Sequence, residues 1–298
     1  MIDELQALRQ SIHHNLVTLD ELIRRLEAPI KPTIIAPESA WPDLLDPEWP
    51  AAWPQHLISD CHTPQEKTYR AIQIASSYDI ALLKDYRILD FGCGDGLVAN
   101  ELVKRGASAV CAYDIAPDKA WDGIDNSKIT FITDLESVLV NAPYNTIILH
   151  DVIDHVPSST LEPALKQILD VCANDVRLII TAHPFTSRHG GHLYDAKNLA
   201  YLQLLYSEDE LASKQIRCPY NNRWSRPQAA YENVFKRLGL NILRKEVDVD
   251  QLEPWIVNRL LPIIIKRIYD NQISTDQAEK ILSVSWVQYL LGTGAKNE

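Results

Sequence analysis

Apolar residues recur every three or four positions along residues 1–28, a stretch with neither glycine nor proline. Leu5, Ile12, Leu19 and Leu26 fall seven apart, and Leu8, Asn15 and Leu22 hold the second heptad position. This predicts an N-terminal coiled-coil helix with one polar layer, a device that fixes register and strand number in a homo-oligomer. Ile2, Leu16 and Ile23 widen the apolar stripe, so an amphipathic helix packed on its own domain is the alternative. In residues 29–60 the periodicity stops. Pro29, Pro32, Pro37, Pro42, Pro47, Pro50 and Pro54 forbid helix, and Trp41, Trp49 and Trp53 are too costly to leave in water. We read an extended arm docked on its own or a neighbouring subunit.

Residues 61–298 read as one domain in which short apolar runs alternate with helical patterns. The predicted strands are 87–91, 109–113, 129–132, 146–150, 177–181, 241–247 and 282–290. The clearest helices are 65–83, 97–104, 161–172 and 228–238. The pattern predicts an α/β fold with a doubly wound, mostly parallel seven-stranded sheet. Residues 250–280 form an insertion between the last two strands, expected to cover a sheet edge or an oligomer contact. Alternation along 283–289 fits an antiparallel strand closing the sheet.

Charge narrows the function classes. The chain of 298 residues carries 29 Lys and Arg against 40 Asp and Glu, a net charge of −11. That excess repels nucleic-acid phosphate and anionic lipid surfaces. Its five cysteines form no CxxC pair, which fits a reducing, cytoplasmic setting. The N-terminus lacks a basic, apolar leader pattern, and the greasiest stretch, 256–268, is too short and charged to span a bilayer.

The first predicted strand ends in Asp90-Phe91-Gly92-Cys93-Gly94-Asp95-Gly96. Glycine permits a tight turn and close approach of a ligand to the backbone. The spacing is G-x-G-x-G, with Leu97 where a dinucleotide fingerprint wants its last glycine. Asp90 would repel a pyrophosphate but suits a nucleoside bearing an ammonium and a sulfonium. Asp114 ends the second strand, where a carboxylate accepts ribose hydroxyls. Asp134 follows the third, where it can accept from an adenine amino group or cap a helix.

At these residues the chain resembles the class I S-adenosylmethionine-dependent methyltransferases, over about residues 61–298. The resemblance implies a Rossmann-like methyltransferase sheet and S-adenosylmethionine as cofactor. Asp90, Gly92, Cys93 and Gly94 would border its amino-acid end, with His150 facing the methionine moiety. Asp114 and Ile115 would hold the ribose, and Asp134 with Leu135 would meet the adenine. Asp154-His155-Val156 matches an acid–His–Val trio of small-molecule members, which makes His155 the expected base, with His189 and His192 as runners-up. The run Arg188-His189-Gly190-Gly191-His192-Leu193-Tyr194 is also similar to methyltransferase-like proteins of bacteriophages.

Five of the nine histidines lie between 150 and 192. Imidazole titrates nearest neutrality and serves as a general base. Asp154, His183, Arg188 and Tyr194 are therefore expected to meet the acceptor, with Arg188 anchoring a carboxylate or phosphate. Alternatively Gly190-Gly191 makes a turn and the histidines satisfy backbone carbonyls. The spacing of His183, His189 and His192 with Asp151 or Asp154 matches no metal-ligand motif, so no metal is expected. The leading function is methyl transfer to a small-molecule or unidentified O or N acceptor. The second is an oligomeric structural or assembly subunit, for instance of a virion, motivated by the heptad helix and the arm.

Overall fold

The computed structural model describes residues 42–293, apart from 56–57, 59–62, 117, 125–126, 173–174, 195 and 217–225. The heptad segment and the first part of the arm, Trp41 included, lie outside the described residues. In chain order the elements are α1 (Pro64–Ser77), β1 (Arg87–Phe91), α2 (Leu97–Lys104), β2 (Ala109–Tyr113), β3 (Ile129–Ile132), α3 (Leu135–Val140), β4 (Thr146–His150) and α4 (Ser158–Val171). They continue with β5 (Arg177–Ala182), α5 (Leu202–Leu205), α6 (Glu208–Ser213), α7 (Gln228–Arg237), β6 (Leu240–Val249), α8 (Leu261–Tyr269), α9 (Thr275–Leu282) and β7 (Val284–Thr293).

The seven strands form one sheet in the order β3-β2-β1-β4-β5-β7-β6. β1 to β5 pair in parallel. β7 runs antiparallel to both β5 and β6. The strand order reverses between β1 and β4, where the loops leaving their carboxyl ends part and open a crevice. Asp90 and His150 lie at or near those two strand ends.

Successive strand residues point to opposite faces, and here both faces are covered. Leu89, Ile147, Leu149, Leu178 and Ile180 pack with Leu161, Leu165 and Ile168 of α4 and Tyr231 and Phe235 of α7. On the other face Ile88, Val110, Ile148 and Ile179 pack with Ala75 of α1 and Ala99 and Leu102 of α2. Burial on two sides is why these strands read as nearly unbroken apolar runs.

Helix α1 is a case of local chemistry setting the boundary. Thr63 and Glu66 form a reciprocal capping box, with Pro64 opening the first turn. The sequence predicts one helix to Leu83, but it stops at Tyr78, which is extended. Asp79 accepts a hydrogen bond from Ala81 N at 2.9 Å and so caps a separate short turn over Ile80–Leu82.

A third core lies off the sheet. Leu193, Tyr201, Leu202 and Leu205 from the segment after β5 pack with Ile256, Leu260, Leu261 and Ile264 from the insertion after β6. The insertion thus joins the β5–α7 segment in a helical cap. Trp49 of the arm is buried in the same core and donates from Nε1 to Ala200 O at 3.0 Å. Trp53 N donates to Asn198 Oδ1, and Asn198 Nδ2 donates to Trp53 O, each at 2.8 Å. Residues 49–53 are therefore strapped onto their own chain.

Candidate active site

The glycine turn after β1 is held from β2. Gly92 N and Cys93 N donate to Tyr113 O at 2.7 and 2.9 Å. Gly94 N donates to Asp114 Oδ2 at 2.9 Å, and Trp121 Nε1 donates to Gly94 O at 2.8 Å. Gly94 sits at φ 51°, and a Cβ there would meet nothing within 4 Å, so the turn is bare on its outer side.

Three carboxylates stand at or just past the ends of β1, β2 and β3, with different partners. Asp114 Oδ2 already holds the loop, and each carboxylate oxygen keeps a second lone pair. Asp134 is the N-cap of α3, accepting from Ser137 N at 2.7 Å and Ser137 Oγ at 2.8 Å. Those hydrogen bonds hold its carboxyl below the ordinary carboxylate range. Leu135 begins α3, and Ile115 stands 83% exposed past β2. Asp90 is 3% exposed, and its Oδ2 has no hydrogen-bond partner. Burial, then the negative charges of Asp114 and Asp95, push its carboxyl up to about 7. A buried carboxylate in that state lacks a cation. The open glycine, the orphaned oxygen and the acids at two neighbouring strand ends fit the charged nucleoside expected from the sequence.

Beside this cleft, beyond the ends of β4, β5 and β7, lies a chamber of about 820 Å³. Its wall includes Trp53, Arg70, His150, Asp151, His183, Arg188, His189, Asp250, Glu253 and Trp286. Most of its charged groups are already paired. Arg188 donates to Glu253 Oε1 at 2.5 Å and to Ala51 O at 2.8 Å, and Arg70 lies 3.5 Å from Asp151 Oδ2. Asp248 Oδ2 accepts from Trp286 Nε1 at 2.6 Å.

Two histidine–carboxylate pairs stand here, the first within the wall and the second behind it. His183 Nδ1 donates to Ser285 O at 2.9 Å, and its Nε2 faces Asp151 Oδ1 at 3.1 Å. Burial opposes its protonation, but Asp151 and Asp154 outweigh burial and raise its imidazole to about 9. His189 Nε2 lies 2.9 Å from His183 Nδ1, and Trp53 stands edge-on to the His189 ring at 4.1 Å. The second pair joins His192 Nε2 to Asp154 Oδ2 at 3.2 Å, with the His155 ring 4.2 Å from His192. Asp151 and His192 occupy the left-handed region at φ 55° and 51°, strain that non-glycine residues bear where the surroundings impose it. Burial draws His150, His155 and His189 below the ordinary imidazole range, so these three are neutral at neutral pH.

Of the three histidines expected to act as base, His189 alone is in the chamber wall; His155 and His192 lie behind it. His183 and Arg188 also line the chamber, whereas Asp154 is buried and Tyr194 stacks on Trp53 at 6.2 Å. Gly190 and Gly191 are required by packing: a Cβ on either would run into Pro184 O or the Gln203 side chain. Sequence reasoning missed Tyr78, Arg70, Glu253 and Trp286. The Tyr78 hydroxyl is 3.1 Å from His150 Nδ1 and links the cleft side of β4 to α1.

Residues 43–245 match the family described as methyltransferase domain. The chain belongs to this family. The methyltransferase domain is 30% identical over 125 residues to the ubiquinone biosynthesis O-methyltransferase of Xylella fastidiosa, covering 39% of this chain and 48% of that protein. It thus spans about half the length of the curated relatives it matches. Among solved structures, a SAM-dependent methyltransferase from Archaeoglobus fulgidus aligns at 14% identity and TM-score 0.47, covering 76% of this chain and 94% of that one. Magnesium protoporphyrin IX methyltransferase from Synechocystis PCC 6803 aligns at 15% identity and TM-score 0.42, covering 77% and 79%.

Proposed function

We propose that this methyltransferase domain uses S-adenosylmethionine to methylate an oxygen or nitrogen of a small molecule seated in the chamber. The observation that carries the reading is Asp90: a buried carboxylate with an unpartnered oxygen beside a bare glycine turn. When bound, S-adenosylmethionine supplies an electrophilic methyl group on a sulfonium. Asp90 pairs with its amino-acid ammonium, Asp114 with the ribose, and Asp134 and Leu135 flank the adenine. The protein then has to align the acceptor and remove one proton.

We assign the proton acceptor to His150. Both ring nitrogens of His183 have partners, and His189 directs Nε2 at His183. His150 is neutral, lines the chamber and stands at the end of β4 next to the cleft. With Tyr78 accepting the Nδ1 proton, its Nε2 offers a lone pair to the acceptor. Tyr78 keeps its own proton, because burial and then Asp90 raise its hydroxyl well above the ordinary range.

Among the described residues no helix is long and apolar enough to cross a membrane. The heptad seam of residues 1–28 supports a homo-oligomer, and Cys93, Cys111 and Cys172, all free thiols, support a cytoplasmic setting. Calorimetry with S-adenosylmethionine and S-adenosylhomocysteine tests the central reading: both should bind the full chain at one site. A folded protein that binds neither would overturn it and favour the assembly-subunit reading, which light scattering then examines.

A further inference from the structure

Outside the chamber, the segment leaving β4 and the loop after β5 bring together three side chains that the proposed chemistry does not use. Asp154, His155 and His192 each offer a ligand atom, and these atoms lie within 4.8 Å of one another. Asp154 is 2% exposed and His192 is 4% exposed. Asp154 Oδ2 accepts from His192 Nε2 at 3.2 Å and from His183 N at 3.4 Å, while Oδ1 has no partner. His192 Nδ1 also has none. Buried polar atoms are rarely left unsatisfied, and an ion on the Asp154 carboxylate would answer its Oδ1, whereas His192 Nδ1 points away from Nε2 and is not answered by it.

We propose that Asp154, His155 and His192 bind one first-row divalent transition ion of the zinc type, which ties the β4 exit to the loop after β5. Zinc bonds of about 2.0–2.2 Å place tetrahedral ligands roughly 3.3 Å apart. The 3.2 Å between His192 Nε2 and Asp154 Oδ2 is already such an edge, so the ion takes the place of the shared proton. Separations of up to 4.8 Å close when the half-buried His155 ring moves inward. Two imidazoles and one carboxylate suit zinc and its neighbours, whereas magnesium prefers an all-oxygen set.

The frame around the ligands is rigid. Arg226 donates from Nη1 to Ile153 O at 2.7 Å and from Nη2 to Val156 O at 3.0 Å, bracketing Asp154 and His155. His192 is turned inward by its left-handed backbone at φ 51°. None of the three ligands lines the chamber, so the ion is a closed, positioning site rather than one that meets the acceptor. The sequence offered no ligand spacing because the ligands come from two segments joined only by the fold.

The test uses the full chain, stripped with a chelator and titrated with Zn²⁺, Co²⁺ or Mg²⁺ alone. The expected result is one equivalent of Zn²⁺ or Co²⁺ by elemental analysis, a higher Tm, and visible Co²⁺ absorption of tetrahedral or five-coordinate form. His192→Ala and His155→Gln should each weaken Zn²⁺ binding at least about tenfold, with S-adenosylhomocysteine binding retained as evidence of folding. Failure of Zn²⁺ and Co²⁺ to bind or raise Tm overturns the site. So does a preference for Mg²⁺, or Zn²⁺ binding by both folded variants as tight as in the parent chain.

Discussion

Asp90→Asn should make the ligand-free protein more stable and its cofactor complex weaker. The folded chain holds the Asp90 carboxyl at about 7, against 3.8 for an ordinary aspartate, because burial and then Asp114 and Asp95 disfavour its charge. Below about pH 4 both folded and unfolded chains keep the proton, and the residue costs nothing. Between pH 4 and 7 the unfolded chain releases its proton while the folded chain holds it, so stability falls as pH rises. Above pH 7 the cost is fully present. A gap of roughly three between the two values, at about 1.36 kcal/mol for each, makes it about 4 kcal/mol, an upper figure because a buried amide also lacks partners. Thermal unfolding without ligand should therefore show the Asp90→Asn substitution raising Tm by several degrees at pH 8, with the gain vanishing near pH 4. Calorimetry should show the opposite for S-adenosylhomocysteine. Losing a charged hydrogen bond worth about 1.5–3 kcal/mol weakens binding roughly 10- to 100-fold. For the parent chain, affinity should fall as pH drops through 7, because protonation removes the charge that pairs with the ammonium. An Asp90→Asn variant that is less stable at pH 8, or that binds S-adenosylhomocysteine as tightly as the parent, would refute this account.

His150→Gln should slow labelled-methyl transfer to a panel of phenols and amines by about 10²- to 10⁴-fold while S-adenosylhomocysteine affinity changes little; an unchanged rate removes His150 as the proton acceptor. Leu260→Ala, in the fully buried centre of the helical cap, should cost about 2–5 kcal/mol, read as a lower urea midpoint. Trp53→Ala removes the ring set edge-on against His189, so hydrogen exchange should speed at Ala200, whose N–H bonds Pro50 O at 2.9 Å. Unchanged protection there would mean that the arm is held by Trp49 and Asn198 without Trp53.

The sheet was legible because its chemistry is local. Strands buried on both faces read as nearly continuous apolar runs, with polar residues mostly at or near their ends, so 87–91, 109–113 and 146–150 agree with the structure residue for residue. The glycine turn and its acids were legible for the same reason: each sits at a strand end, and parallel strands bring their ends to one rim. Helix α1 was overrun because apolar spacing continues past Ser77, while the signal that ends it is Asp79 capping the next turn. The chamber was legible only in part. The histidine-rich segment marked one wall, but Trp286 arrives from the antiparallel return of β7 and Glu253 from the insertion. Arg70 and Tyr78 come from α1 and its C-terminal end, one face of which is buried on the sheet. The contact between His183 Nδ1 and Ser285 O joins residues 102 positions apart, and no periodicity encodes it.

The same division explains how one chain keeps two neighbouring sites chemically distinct. In the cleft, Asp90 is left without a cation and is costly until a positive ligand arrives. In the chamber, Asp151 faces His183 and Arg70, Glu253 holds Arg188, and Asp248 holds Trp286. An acceptor carboxylate reaching Arg188 would have to displace Glu253, whose Oε2 is already buried without a partner. That exchange gains little, because each new ion pair is made at the expense of an existing one. The expected anchoring of an acidic acceptor by Arg188 is thus disfavoured by the chain's own pairing. On the proposed reading, the Trp53 and Trp286 rings in the chamber wall offer apolar surface to the acceptor, and His150 meets its reacting atom.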